Sequence, residues 1–213
     1  MVNKTKLFLS GGGSTLDSLN VDKAFASSLD KSRPLLYIPI AMDTSKVPYS
    51  NCFNWIKSVF EPLGVKNITM WVEKDLRNKK FNDFLNFSGV YIGGGNTFNL
   101  LKKLKDLKTF DILKKLAKAG VPISGGSAGA ILLGRDIITA NDPNELKIRD
   151  TRGLDLLQGY SIICHYEKKE KEFLLNLSKK GLKLIALREN AGIFFNGEKI
   201  EDLGISSAEL DIF

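Results

Sequence analysis

The chain has 213 residues, of which 43% are apolar and 26% charged, a length and balance at which one globular domain buries most of the apolar surface of its unfolded chain. A single domain over residues 1–213 is expected. The formal charge of +7 invites a nucleic-acid reading, because clustered Lys and Arg release counterions on meeting phosphates. The lysine pairs at 79–80, 102–103, 114–115, 168–169 and 179–180 are instead spread among segments and interleaved with Leu or Glu, the pattern of solvated faces on amphipathic helices. No nucleic-acid partner is expected. The basic start, Met1 to Lys6, leads into Leu7-Phe8-Leu9 and then Gly11-Gly12-Gly13, too short a run for a signal-peptide core. No later stretch approaches the roughly 20 apolar residues of a membrane span, so a soluble, cytoplasmic protein without a membrane partner is expected. Cys52 and Cys164 are too few and too unpatterned for a disulfide framework or a zinc site, and neither a metal nor an organic cofactor is expected.

In chain order, short β-rich runs alternate with stretches of helical period. "KLFLS" precedes a glycine turn and the helix-like "TLDSLNVDKAFASSL"; "PLLYIPIA" precedes "SNCFNWIKSVFEPLG"; "NITMWVEK" precedes a polar, helix-like segment ending near Phe87. "GVYIGGG" leads into "NTFNLLKKLKDLKTFDILKKLAKAG", whose leucines recur every three or four residues, and "VPISGG" leads into "AGAILLG". The last third offers "YSIICHY", the amphipathic "KEKEFLLNLSKKG", "LKLIALREN" and a terminal hairpin turned at Asn196-Gly197. This alternation predicts an α/β fold of three layers, α/β/α, with a mostly parallel sheet covered on both faces. In such sheets ligands bind beyond the carboxyl ends of the strands, which is where three glycine-rich turns fall: 11–13, 93–95 and 125–129.

Gly125-Gly126-Ser127-Ala128-Gly129 fits G-x-S-x-G, a nucleophile elbow in which small neighbours let a strained serine stand exposed between strand and helix. The plainer reading of Ser127 is a helix N-cap. A serine needs a base, and the chain has one histidine, His165, at the end of "YSIICHY"; its expected place is the same sheet edge as Ser127. A third member would fix the imidazole. Glu189, closing "LKLIALRE", and Asp142, in the turn-rich "TANDPNE", both qualify, and the residues alone leave the choice open. The N–H of Ala128 and that of Gly95 in the 93–95 turn are the expected oxyanion donors. Asn96 and Thr97 are helix-cap candidates, and Asn96 also a substrate contact. Cys164 should face away from His165 along the strand, as a buried structural thiol. As a dinucleotide fingerprint the two GGG turns are weak, because neither has the third glycine of G-x-G-x-x-G.

At these residues the sequence resembles the peptidase E family, the aspartyl dipeptidases of the S51 serine peptidases. "VYIGGGNTFNLLKKL", "GVPISGGSAGAILL", "TAND" and "LKLIALREN" carry the resemblance, in the family's order. It implies a fold similar to class I glutamine amidotransferases and a serine-type dipeptidase working through an acyl-enzyme. It further implies Ser127 as nucleophile, His165 as general base, Glu189 as third triad member, Asp142 as a further contributor to activity, and Gly95 and Ala128 as oxyanion donors. The expected substrate is a short peptide, with N-terminal Asp as the family preference. Members with that preference carry arginines after the catalytic histidine, suited to bidentate capture of a carboxylate. Here the segment reads "HYEKKEKEF", so Lys168 and Lys171 are the candidate substrate contacts, although lysine does not replace arginine at a bidentate site. A non-catalytic scaffold binding a small ligand or partner is the alternative. A homodimer stays open as the assembly.

Overall fold

Two-sided burial begins with the first strand. In β1 (Leu7–Ser10) all four residues are buried, Leu7 and Leu9 packing into one cluster and Phe8 into another. The same alternation recurs in β2 (Leu35–Ile38) and, after β3 (Ile68–Met70), in β4 (Gly89–Ile92), where Leu36, Ile38, Val90 and Ile92 join Leu7 while Leu35, Tyr37 and Tyr91 join Phe8. Each such leucine or phenylalanine contributes about 1.5–3 kcal/mol by leaving water. Apolar residues on both faces are what a parallel strand between two helical layers requires.

The computed structural model describes residues 5–204 and 211–213; the basic start of the chain, Met1 to Lys4, lies outside the described residues. One helical layer holds α1 (Leu19–Ser28) and α2 (Tyr49–Phe60). The other holds the short α3 (Glu73–Leu76) and α4 (Phe81–Phe84), then α5 (Thr97–Asp106), α6 (Thr109–Lys118) and, after β5 (Ile123–Gly126), α7 (Ala128–Leu133). The leucine spacing of 97–118 reads as one helix, but the structure divides it at Lys108, which takes φ 59°. An unbroken helix there would run about 33 Å, against about 13 Å for a four-residue strand. The break lets α5 lie on α7 and α6 turn back beside α4.

The chain continues with β6 (Tyr160–Ile163), α8 (Lys171–Lys179), β7 (Lys183–Ala186), β8 (Gly192–Phe195), β9 (Ile200–Asp202) and β10 (Asp211–Ile212). The main sheet has seven strands in the order β3-β2-β4-β5-β1-β8-β9. Its first five are parallel; β8 runs antiparallel to β1, and β9 antiparallel to β8. The expected terminal hairpin is β8–β9: Asn196 Oδ1 closes it by accepting from the N–H groups of Glu198 and Lys199 at 3.0 and 2.8 Å.

The last third departs from a single sheet. β6 and β7 pair in parallel with each other and, with β10, form a separate three-stranded sheet. One face, with Ile162, Cys164, Ile185 and Leu187, packs into the cluster around α7; the other, with Ile163, Leu184 and Ala186, is covered by Leu174 of α8. Among the described residues no helix is long and apolar enough to cross a membrane.

Candidate active site

Strand order brings the glycine turns together. β4, β5 and β1 are neighbours, with Ser10 opposite Gly126 and Ile92 opposite Gly125, so the turns that leave all three strands open on one edge. Ser127 stands at the corner between β5 and α7 with φ 50° and ψ −116°, a conformation that costs a non-glycine residue on the order of 1–3 kcal/mol. The flanking glycines make the corner possible. A Cβ on Gly125 would lie 2.5 Å from the carbonyl carbon of Gly129, and one on Gly129 would lie 2.2 Å from the carbonyl oxygen of Ile92. With neither present, α7 starts directly against β4 and β5.

The Ser127 side chain does not cap the helix. Its Oγ lies 2.8 Å from Nε2 of His165, and Nδ1 of the same ring lies 3.1 Å from Oε1 of Glu189. An ionised carboxylate only accepts, so the network assigns the ring proton to Nδ1 and leaves Nε2 to accept from the Ser127 hydroxyl. The His165 backbone, with φ 55°, donates its N–H to the carbonyl of Gly11 at 3.0 Å, and Gly13 N–H donates to the carbonyl of Glu189 at 3.3 Å. The turn after β1 thus holds both residues of the smaller sheet. Gly12 fills the space between: a Cβ there would fall 2.6 Å from the His165 ring and 2.8 Å from Ser127 Cβ.

Asp142 lies elsewhere. Its carboxylate accepts from the N–H and the hydroxyl of Thr97, at 2.8 and 2.6 Å, pinning the start of α5 and with it the 93–96 turn. Asn96 caps that helix, its side-chain oxygen accepting from Asn99 N–H at 2.9 Å while its amide donates to the carbonyl of Pro143 at 3.0 Å. Gly94 abuts Ser127, a Cβ there coming 3.4 Å from Ser127 Cβ. Gly95 has φ 134° and is pressed against the carbonyl of Ala41; among the described residues its N–H has no acceptor. Ala128 opens α7, where a first-turn N–H has no intrahelical acceptor. Cys164 is buried, its Sγ 3.7 and 3.6 Å from the carbonyl oxygens of Ser10 and Ser127, and burial pushes its thiol well up.

Two concavities flank the serine and histidine. A cavity of about 380 Å³ opens beside Ser127, Gly126 and Gly94 and runs toward α2, over Tyr37, Tyr91 and Trp55. A separate hollow on the far side is lined by His165, Tyr166, Arg188 and Glu189. There Nε and Nη2 of Arg188 are buried and find no hydrogen-bond partner among the described residues. Lys168 and Lys171 are exposed and line neither concavity.

A serine on a strained strand-to-helix corner, with an imidazole in hydrogen-bond reach and a carboxylate behind it, places the chain among α/β proteins with a nucleophile elbow. More narrowly, the chain belongs to peptidase family S51, whose model matches residues 7–203. It is 31% identical over 133 residues to a Drosophila melanogaster protein described as a probable alpha-aspartyl dipeptidase, covering 57% of this chain and 55% of that one. It is 43% identical over 67 residues to peptidase E of Haemophilus influenzae, 31% of each chain. The chain therefore aligns with about half, or less, of the length of these relatives. A structure from Listeria monocytogenes EGD-e assigned to peptidase E shares the fold, with a TM-score of 0.71 at 19% identity over 95% of this chain and 99% of that one. So does a peptidase from an acI-B1 actinobacterium, with a TM-score of 0.64 at 17% identity over 98% and 93%.

Three site features are not apparent from the sequence motifs. The spacer role of Gly12 hides in a turn that looks like a nucleotide fingerprint, and Arg188 sits beside Glu189 with no pattern to set it apart. The aromatic lining of the cavity comes from three separate segments.

Proposed function

We propose that this chain is a serine peptidase hydrolysing short peptides. One distance carries the reading: the 2.8 Å between Ser127 Oγ and His165 Nε2, within the range for a nucleophile and its general base. Ser127 Oγ attacks the scissile carbonyl carbon as Nε2 takes its proton. The carbonyl oxygen gains the negative charge and is met by the N–H groups of Gly95 and Ala128. Collapse of the tetrahedral intermediate breaks the C–N bond, and Nε2 returns the proton to the leaving amine. Water, deprotonated by the same nitrogen, then attacks the acyl-enzyme and releases the acid. Glu189 holds the ring in the working tautomer and stabilises the imidazolium, and Asp142 acts as a positioning residue through Thr97. The names of the relatives suggest dipeptides, Asp-X among them, as the substrates.

Ser127→Ala tests the assignment. Turnover of a cleavable dipeptide should fall by at least about a thousandfold, and a serine-directed fluorophosphonate should label the parent protein at Ser127 and leave the variant unlabelled. Near-normal hydrolysis by the variant refutes the mechanism.

A further inference from the structure

The leaving amine takes its proton from His165, so it departs on the imidazole side, while the acyl half of the substrate stays on Ser127. The cavity beside Ser127 borders the serine and not the histidine, so it belongs to the acyl half. Its aromatic and aliphatic lining comes from β2, β4, α2 and the loop between β2 and α2, with Tyr37, Tyr91, Met42, Val47 and Trp55, and Ser10, Ser18 and Asn51 add polar but uncharged groups. Tyr37 and Tyr91 face each other across paired strands, with ring centroids 5.9 Å apart, and Trp55 meets the Tyr91 ring at 5.9 Å. The two tyrosines are 3% exposed and form the floor; Trp55, 38% exposed, stands at the mouth. Among the described residues no lysine, arginine or histidine borders the space.

We infer that the cavity takes a bulky uncharged side chain, aromatic or branched aliphatic, on the residue whose carbonyl Ser127 attacks. The inference rests on the serine-peptidase reading and narrows its substrate class. A carboxylate in this cavity would lose water and find no cation, a cost that buried ionised groups bear only when paired. Burial pushes both phenols well up, so they stay neutral. A buried acidic group works the same way: Asp22 lies beside Ser18, which borders the cavity, and its charge bears on Tyr91. The volume of about 380 Å³ accommodates a phenylalanine or leucine side chain, and ring-on-ring contact with Trp55 and Tyr91 favours the aromatic one. The cation that could receive a carboxylate, Arg188, lies in the other hollow, behind His165.

The test is a set of dipeptides sharing one leaving residue and differing in the first, Phe, Leu, Ala or Asp, run on the full chain alongside fluorophosphonate labelling. The Phe or Leu peptide should exceed the Asp peptide in kcat/KM by at least about tenfold. Trp55→Ala should shrink the Phe-over-Ala ratio in kcat/KM several-fold, and Trp55→Phe should restore it, which a general loss of structure would not do. Labelling of Ser127 together with Asp turned over as well as Phe or Leu, or with no dipeptide cleaved, overturns this inference and leaves the nucleophile standing. Absence of both labelling and hydrolysis overturns the serine-peptidase reading and this inference with it.

Discussion

Ser127 and its two partners come from regions built on opposite principles. The serine rises from the interior of the seven-stranded sheet, between a strand and a helix whose residues are all buried, and its strained backbone is fixed on every side. His165 and Glu189 leave the ends of a small separate sheet, with side chains 42% and 64% exposed. The difference teaches that Ser127 is positioned by core packing, whereas His165 and Glu189 are positioned by a few backbone hydrogen bonds to the turn after β1. Disruption should therefore enter most easily at the seam.

Short of removing Ser127 itself, the largest effect is expected there. Gly12→Ala puts a methyl group where the His165 ring and Ser127 Cβ already stand, at a backbone φ of 99°. Because displacement of a catalytic group by about 1 Å can cost on the order of a hundredfold, kcat/KM for a cleaved dipeptide should drop by at least about that factor. Circular dichroism should remain that of the folded parent. Retention of most activity would show that the two regions are spaced by something other than this turn.

Glu189→Gln is the next step down, since it keeps the shape and removes the charge behind the ring. The exposed carboxylate is screened by water, so the loss should be about ten- to a hundredfold in kcat, far short of the roughly ten-thousandfold known for a buried triad acid. A loss below threefold in steady-state kinetics would remove Glu189 from the proposed triad.

The smallest effect sharpens the contrast from the rigid side. Asp22 is 2% exposed, and burial pushes its carboxyl up to about 6 even though Ser18 donates to it at 2.7 Å. The native state therefore keeps a proton that the unfolded chain releases near pH 4, and stability falls as pH rises from about 4 to 6, then levels off. Asp22→Asn should flatten that slope in urea melts and raise stability at pH 7 by up to about 3 kcal/mol. An unchanged slope would mean that Asp22 is ionised in the native state throughout that range.

What the sequence makes legible follows the same division. The elbow and the strands around it are readable because local sterics dictate them: Gly125 and Gly129 admit no side chain, and the alternation of Leu7, Phe8 and Leu9 records two buried faces. Sheet membership is not readable. "YSII" and "KLIA" have the composition of strands inserted in the main sheet, and only their pairing with each other sets them apart, which is a long-range choice. The break at Lys108 is hidden because leucine spacing continues across it. Residues taken singly leave Glu189 and Asp142 both open, one closing a strand and the other in a turn-rich loop after the elbow helix; distances separate them, one against the imidazole and the other on the start of α5. The gathering of Tyr37, Trp55 and Tyr91 is invisible for the same reason, each being an ordinary core aromatic in its own segment.

The spacer at Gly12 also bears on redesign. A gap set by bare main chain offers no side-chain volume to trim, so exchanging residues at that point can only widen it. Bringing imidazole and hydroxyl closer, or easing them apart by tenths of an ångström, would require moving the backbone at residues 11–13 itself, by lengthening or shortening the loop.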